Sequence, residues 1–280
     1  MKHPEISISR QCQLLDLCRA SLYYRPQRAD SEYNLKLMKL IDQKWLECPF
    51  YGSRRMTAWL NRQHHPVNVS VNRKRVRRLM NLMGIEAIYP KKKRLSNPGQ
   101  ESANVKFPYL LRDLSIDRAN YVWTADITYI PMKKGFIYLV AIIDWYSRYV
   151  LSWEVSLTLE KYFCITALEK ALSGPNQPEI FNTDQGVQFS TPSFFKILLD
   201  RGIAVSMDGR GRVFDNIFIE RLWRSLKYEE VYLKAYNNVT EAIDGLDRYL
   251  TFYNTERLHQ ALGYRPPLEV HYEKEGSRRC

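Results

Sequence analysis

Apolar residues recur every three to four positions in the first part of the chain, a spacing typical of amphipathic helices. Two short helices are expected within residues 7–25, either as part of a helix-turn-helix or as a docking arm for a partner. Three longer helices are expected within residues 31–86. A serine stands at the N-terminus of each, and the hydroxyl of the first can cap free backbone N–H groups. Ser31 is the expected cap of the first helix, and Ser53 and Ser70 are expected to open the second and the third.

From about residue 119 the pattern changes to strands, followed by alternating helices and strands. The first three strands are rich in β-branched and aromatic residues and predict an antiparallel meander. The full order β-β-β-α-β-α-β-α favours an α/β fold with a mixed five-stranded sheet and flanking helices. The expected strands are 121–129, 136–144, 148–155, 179–183 and 203–207. The expected helices are 159–172, one capped by Thr191, one capped by Asp215, and 239–262, with 263–267 ending the ordered chain.

Charge is distributed unevenly between these two parts. The chain has 280 residues and a formal net charge of +12. Residues 1–100 contain 20 Lys and Arg against 7 Asp and Glu, whereas residues 101–280 contain 22 against 23. Because the whole basic excess lies in the first third, it indicates a surface for phosphates rather than general solubility.

The third of the longer helices concentrates this positive charge. Five cations within two turns repel one another unless an anion lies nearby. A solvated face is the ordinary interpretation, but helix-turn-helix proteins carry their groove-reading helix at this place in a small bundle. A second basic run follows in a segment without periodicity, as expected of a linker lying along a DNA backbone. The predicted DNA-binding residues of the two runs are Arg73, Lys74, Arg75, Arg77, Arg78, Lys91, Lys92, Lys93 and Arg94.

Three acidic residues stand where ionised side chains are uncommon. Asp126 lies inside an apolar strand, Asp184 ends another strand, and Glu220 lies on a helix among apolar residues. Buried carboxylates are generally paired or bound to metal. Their oxygens suit Mg²⁺, and two such ions can activate the attacking oxygen and stabilise the leaving oxygen in phosphodiester chemistry. We therefore expect the three acids to be catalytic ligands of two divalent ions.

Each acid taken alone has an ordinary structural interpretation. An Asp at a strand end is usually a turn former, and Glu220 is able to pair with an arginine on its own helix. Asp144, at the end of the second strand, is expected to cap a loop. Arg224 and Lys227 follow Glu220 at i+4 and i+7, so all three can face one site. Both cations are therefore expected to contact DNA.

Cysteine spacing and hydropathy exclude other classes of protein. The five cysteines are irregularly spaced without a Cys-x-x-Cys pair, so free thiols fit better than a zinc site or a disulfide framework. No apolar run reaches the ~18 residues of a membrane span, and the N-terminus lacks the apolar region of a signal peptide. We expect a cytoplasmic protein without a membrane partner.

As a set, the motifs around the three acids resemble a known superfamily. Asp-Ile-Thr-Tyr (126–129), Asn-Thr-Asp-Gln-Gly (182–186) and Asp-Asn-x-x-x-Glu (215–220) are similar to motifs of the Asp-Asp-Glu transposases and retroviral integrases. The 35 residues between the second and third acids match the spacing of that superfamily. Tyr-Asn-x-x-Arg-x-His (253–259) and Tyr-Gly-Ser-Arg-Arg (51–55) narrow the resemblance to OrfB, the catalytic subunit of bacterial insertion sequences.

This resemblance implies a ribonuclease H-like core, with Asp126, Asp184 and Glu220 as the catalytic metal ligands. The implied cofactor is Mg²⁺ or Mn²⁺, with two ions per active site. The implied reaction is nicking at an element end, then attack of the freed 3′-hydroxyl on another strand. The implied partners are terminal inverted repeats, target DNA, further copies of the chain and an upstream-frame (OrfA) protein or fusion, in the bacterial nucleoid. The chain departs from the family at 208–214, where Asp-Gly-Arg-Gly-Arg-Val-Phe replaces the usual small polar stretch before Asp-Asn.

Five segments follow from these interpretations. They are a helical arm (1–30), a helix-turn-helix-like DNA-binding domain (31–88), a basic linker (89–118), the integrase-like catalytic core (119–235) and a C-terminal helical extension (236–280). Two other functions stay open. A nuclease or junction resolvase of the same fold would hydrolyse DNA without joining it, which the basic N-terminal block disfavours. A non-enzymatic remnant would only bind DNA, which the presence of all three acids disfavours.

Overall fold

The computed structural model describes residues 6–23, 32–63, 70–89, 107–112, 114–184, 186–207 and 216–273. Several residues with predicted roles lie outside these ranges: Ser31, Asp215, the basic run Lys91, Lys92, Lys93 and Arg94, and the loop 208–214. No helix among the described residues is both long enough and apolar enough to cross a membrane.

The N-terminal part is helical, as predicted. Its described helices are α1 (Ile8–Leu14), α2 (Arg19–Tyr23), α3 (Glu32–Glu47), α4 (Ser53–Arg62) and α5 (Arg73–Leu82). The last three enclose a separate apolar core in which Tyr51, Met56 and Leu79 are fully buried. Helix α4 begins at Ser53 as expected.

Helix α5 begins at Arg73, and the prediction that it opens at Ser70 is wrong. Asn72 is the N-cap, and its side chain accepts a hydrogen bond from the Lys74 backbone N–H at 2.8 Å. The reason lies in Asn61, whose Oδ1 accepts the Val71 N–H at 2.7 Å while Val71 is buried in the core. Because Val71 is tied to α4 in this way, the helix starts only after it.

The C-terminal part contains the predicted mixed five-stranded sheet. Its strands are β1 (Val122–Pro131), β2 (Phe136–Asp144), β3 (Val150–Ser156), β4 (Ile180–Thr183) and β5 (Ala204–Met207), in the order β3-β2-β1-β4-β5. Strands β1, β2 and β3 form the antiparallel meander, whereas β4 pairs in parallel with both β1 and β5. Strand β1 is therefore central, with an antiparallel neighbour (β2) on one side and a parallel neighbour (β4) on the other.

Helices cover both faces of this sheet. They are α6 (Tyr162–Leu172), α7 (Pro192–Leu199), α8 (Ile217–Leu226), α9 (Tyr232–Lys234), α10 (Val239–Thr255) and α11 (Pro267–His271). Val140 and Ile142 of β2 face the core with α6 and α7, while Ala141 faces the core with α8 and α10. This division follows from the alternation of side chains along a strand. Thr191 precedes α7 as expected, but its side chain makes no capping hydrogen bond.

The end of the described chain differs from its prediction. Helix α10 ends at Thr255 rather than at residue 262, and the expectation that 263–267 ends the ordered chain is wrong. Gly263 and Tyr264 have φ values of 65° and 58°, which reverse the chain and start α11. His271 is then buried against the meander, with Nδ1 3.0 Å from the Ser147 Oγ.

Candidate active site

Asp126 projects from the central strand and has a hydrogen bond on each carboxylate oxygen. Its backbone lies opposite Ala141 of β2. Oδ1 accepts the N–H of Ile127 at 2.8 Å, and Oδ2 accepts the indole N–H of Trp223 at 2.8 Å. A carboxylate oxygen has two acceptor positions, so each oxygen keeps one for a further ligand.

Asp184 lies beside Asp126 because the two strands run in parallel. Thr183 at the end of β4 is paired with Ala125 of β1, so the next residue on each strand is one of the two acids. Oδ1 of Asp184 accepts the Gly186 N–H at 2.9 Å. A Cβ at position 186 would lie 2.8 Å from that oxygen, so glycine is what permits this tight turn.

The ionised form of both aspartates is disfavoured, mainly by burial. Burial raises the pKa of Asp126 to about 7, and the charges of Asp184 and then Glu220 contribute to the rise. The hydrogen bonds from Trp223 and Ile127 act in the opposite direction. Burial also raises the pKa of Asp184. Paired carboxylates with raised pKa values are typical of functional sites, and a bound cation would relieve their repulsion.

Glu220 is set apart from this pair. It lies in the first turn of α8 with an exposed side chain, while the preceding Ile219 is fully buried. Among the residues that the structure describes, no three His, Cys, Asp or Glu side chains are close enough to hold one metal ion together. The fold thus brings two of the three predicted ligands side by side and the third to the same region. Carboxylate oxygens alone form the set, which suits a hard divalent cation.

Lys227 joins the site, whereas Arg224 lies on its outer side. Lys227 opens a π-helical turn (Lys227–Val231) that continues α8. Burial lowers the pKa of Lys227, and the nearby charge of Asp126 opposes this change. Arg224 is exposed, with its guanidinium 6.0 Å from the centre of the Tyr228 ring. Of the two cations predicted to contact DNA, Lys227 is therefore half-buried near the acids and Arg224 is exposed to solvent.

Two contacts anchor α8 to β1, and sequence reasoning found neither. Trp223 donates to Asp126, and the hydroxyl of Thr124 donates to Asn216 Oδ1, at the N-terminus of α8, at 2.9 Å. Trp223 stands three residues after Glu220, which puts both on neighbouring parts of the helix surface. This spacing was the one sequence feature that could have pointed to a role for Trp223 near the acids. It was not used, because an aromatic residue on an apolar helix face ordinarily belongs to the core.

Comparison with known proteins identifies the family. Family models described as "Integrase core domain" match residues 116–212 and 201–267, and one described as "HTH-like domain" matches residues 32–93. The transposase for insertion sequence element IS904 of Lactococcus lactis subsp. lactis (strain IL1403) is 32% identical over 232 residues, covering 81% of this chain and 88% of the relative. This chain belongs to the insertion-sequence transposases. The transposase for element IS629 of Shigella sonnei is 29% identical over 222 residues, covering 79% of this chain and 73% of the relative.

The fold of the transposase also occurs in a solved viral structure. The simian T-cell lymphotropic virus intasome covers 86% of this chain and 76% of the viral chain, with a TM-score of 0.51 and 16% identity. The predicted α/β fold, with a five-stranded integrase core preceded by a helical HTH-like region, is confirmed.

A buried ion cluster lies at the other end of the same helical run in the transposase. Glu229 accepts hydrogen bonds from Arg257 Nε and Nη2 at 2.6 Å each, from the Tyr249 hydroxyl at 2.8 Å and from Arg55 Nη1 at 3.1 Å. Burial alone would raise the pKa of Glu229, but the charges and hydrogen bonds of Arg257 and its neighbours lower it. His259 is half-buried beside Arg257, and burial together with the charge of Arg257 lowers its pKa to about 2.

Asp144 is part of the scaffold, as expected. It is fully buried, and Oδ1 accepts the N–H and the hydroxyl of Ser147 at 2.7 and 2.6 Å. Oδ2 accepts the Asn120 N–H at 2.7 Å. With these donors it caps the loop between β2 and β3, away from the acids of the transposase site.

The basic face of α5 is open to solvent. Val76, Leu79 and Met80 enter the helical core, and the five cations occupy the rest of the surface. Arg75 lies over the ring of Tyr33, 5.4 Å from its centre. These exposed cations are Arg73, Lys74, Arg75, Arg77 and Arg78.

Proposed function

We propose that this transposase cuts and joins DNA at insertion-sequence ends with Asp126, Asp184 and Glu220 as ligands of two divalent ions, Mg²⁺ or Mn²⁺. The observation that carries the proposal is the pair Asp126 and Asp184. They leave neighbouring parallel strands at the same register, and burial raises the pKa of both, with the charge of Asp184 contributing to the rise at Asp126. A scaffold seldom keeps such a pair unless a cation or a proton joins it.

The chain's own residues prepare the site for this chemistry. The bound ions would activate the attacking oxygen and stabilise the leaving oxygen. Trp223 and Ile127 hold the Asp126 carboxylate by one hydrogen bond on each oxygen. Lys227 places a positive charge close to Asp126, where a DNA phosphate would also lie. Arg224 faces solvent on the same helix and would grip DNA further out.

DNA recognition is assigned to the helical part. The exposed cations of α5, together with the basic run 91–94, would bind phosphates of the terminal inverted repeats and of target DNA. Because transposition brings two ends together, we expect more than one copy of the chain on the DNA. An OrfA partner or fusion would add end recognition, and the work would take place on nucleoid DNA.

A strand-transfer assay tests the catalytic proposal. Purified protein, Mg²⁺ and a duplex carrying the element end should give nicked and then joined DNA. Asp126→Asn should reduce both steps by at least roughly a thousandfold, because the metal-binding carboxylate is lost. Asp200→Asn, an exposed acid after α7, is the matched control and should keep wild-type activity.

The same assay separates the alternatives. Activity retained in Asp126→Asn would contradict the metal-binding role. Hydrolysis without joining by the wild-type protein would point to a nuclease, and binding without either step to a non-enzymatic DNA-binding protein.

Salt dependence tests the DNA-binding face. Replacing Lys74 and Arg78 with Gln should reduce the slope of log affinity against log salt by about 2, because each lost phosphate contact releases about one counterion fewer. Lys39→Gln, an exposed cation on α3, should leave the slope unchanged. An unchanged slope in the double variant would remove α5 from the interface.

A further inference from the structure

Trp223 makes a hydrogen bond that its burial alone does not explain. A buried indole N–H generally finds a partner, and a neutral acceptor is sufficient. Trp123 donates to the Asn120 side chain at 3.1 Å and Trp45 to the Glu86 carbonyl at 2.9 Å. The buried N–H of Trp145 has no partner at all in the described structure. In this fold an indole N–H can therefore have a neutral acceptor or none. Among the described tryptophans, only Trp223 donates to a carboxylate, which is that of Asp126.

The indole is held rigidly by its surroundings. Trp223 is only 7% exposed and belongs to the apolar core that α8 shares with β2 and α10. Its neighbours Leu222 and Leu226 on α8 are fully buried in the same core. Because packing fixes the ring, the N–H is a fixed donor that determines where Oδ2 of Asp126 points.

The same residue also links two of the acids mechanically. Trp223 lies three residues after Glu220 on α8, and its hydrogen bond reaches Asp126 on β1. Any sliding of α8 along the sheet that carried Glu220 away would break this bond. The hydrogen bond leaves one acceptor position on Oδ2, so it orients the carboxylate without closing it to a cation.

We propose that Trp223 is a positioning residue that orients Asp126 for the divalent ion and sets the distance of the Glu220 helix from the central strand. This inference rests on the proposed metal role of Asp126. Hydrogen-bonding groups behind metal ligands typically contribute 10–100-fold to metal affinity. The replacement Trp223→Phe removes the donor while keeping an aromatic ring in the core.

The test measures metal binding directly, without DNA. Calorimetric titration of the full chain with Mg²⁺ should give about tenfold weaker binding in Trp223→Phe than in wild type. Trp153→Phe is the control, since Trp153 packs at the edge of the same core and makes no hydrogen bond to the acids. The thermal unfolding midpoint of each variant in chelator shows that the titration temperature lies below unfolding. A purely structural role would lower that midpoint and leave the affinity unchanged.

A spectroscopic signal reports on the hydrogen bond itself. The indole ¹H–¹⁵N resonance that disappears in Trp223→Phe should shift on addition of Mg²⁺ to wild type and stay in place in Asp126→Asn. Wild-type affinity in Trp223→Phe, or a resonance insensitive to Mg²⁺, would overturn the inference while leaving the metal site intact. Undiminished Mg²⁺ binding by Asp126→Asn would instead overturn the metal site, and the role of Trp223 with it.

Discussion

Glu220 and Glu229 stand nine residues apart on one continuous helical run, yet their surroundings are opposite. Glu229 is 7% exposed and receives hydrogen bonds from Arg257, Tyr249 and Arg55. Glu220 is exposed and forms no ion pair with any described residue. A buried charge is tolerated when the protein itself supplies every partner, whereas an exposed acid is available to a cation from outside. The helical run therefore contains one acid that is neutralised within the protein and one that is open to solvent.

The contrast also explains how the helical part joins the catalytic part. Arg55 comes from α4, and Arg257 follows α10, so the buried cluster ties the HTH-like region and the C-terminal segment to the catalytic helix. Further contacts strengthen this junction: Phe50 meets Phe252 edge to face, with ring centres 6.2 Å apart. Glu220 lies at the opposite end of this run, in the first turn of α8.

The largest expected effect is loss of activity in Glu220→Gln. Strand transfer should fall by at least roughly a thousandfold because a metal-binding carboxylate is lost. The free energy of unfolding should change by less than about 0.5 kcal/mol, as is usual for exposed positions. Oligonucleotide strand transfer and denaturant unfolding measure the two quantities. A large loss of stability would mean that Glu220 is structural and would break the comparison.

Glu229→Gln should have the opposite profile. Removing one partner of a buried ion cluster leaves Arg257 without its counter-ion and should lower the free energy of unfolding by about 3–5 kcal/mol. Glu256→Gln, an exposed acid at the end of α10, is the matched control.

The difference in stability between wild type and Glu229→Gln should depend on pH. The folded-state pKa of Glu229 is lowered from 4.5, so its contribution is present above that pH and is lost as pH falls through the lower folded-state pKa. Wild type and Glu229→Gln should therefore converge in stability in acid. If the difference in stability stayed constant at pH values well below 4.5, the ionised Glu229 cluster would not be the cause of that difference.

A smaller effect is expected from Asp126→Asn in chelator. The folded-state pKa of Asp126 is raised from 3.8 to about 7, so the ionised carboxylate destabilises the metal-free fold above pH 7. The variant should be more stable than wild type at alkaline pH, by about 1 kcal/mol after allowance for partial exposure. As pH falls below 7 the folded wild type takes up a proton while the unfolded chain stays ionised until about 3.8, so the difference in stability should close progressively between these two pH values. If the difference in stability between Asp126→Asn and wild type did not change with pH, the Asp126 carboxylate would not be its source.

Local pattern was sufficient for most elements of the fold. Alternating β-branched residues predicted the meander, and Asp184 was correctly placed at a strand end, because both follow from chain-local periodicity. The start of α5 was not predictable in this way. Ser70 and Asn72 are both good caps, and the choice between them is made by Asn61, a residue on another helix.

The candidate site was predictable only as a set of residue types. The spacing indicated which acids belong together, but not that Trp223 binds Asp126, since that contact joins a helix to a strand 97 residues away. The motif Tyr-Asn-x-x-Arg-x-His supported the resemblance, and its Arg257 is bound to buried Glu229. Asn254 in the same motif uses its amide to pair with both the N–H and the carbonyl of Val150 on β3. Neither partner can be inferred from the motif alone.

The late position of these contacts in the chain has a consequence for protein synthesis. A nascent chain that has left the ribosome only as far as residue 235 already contains all three acids. It still lacks Arg257 to neutralise Glu229, Asn254 to cover the edge of β3 and His271 to pack against Ser147. The helix that carries Glu220 therefore gains these buried contacts only after residues 254–271 have been synthesised, so a fragment that stops at residue 235 contains the acids without them.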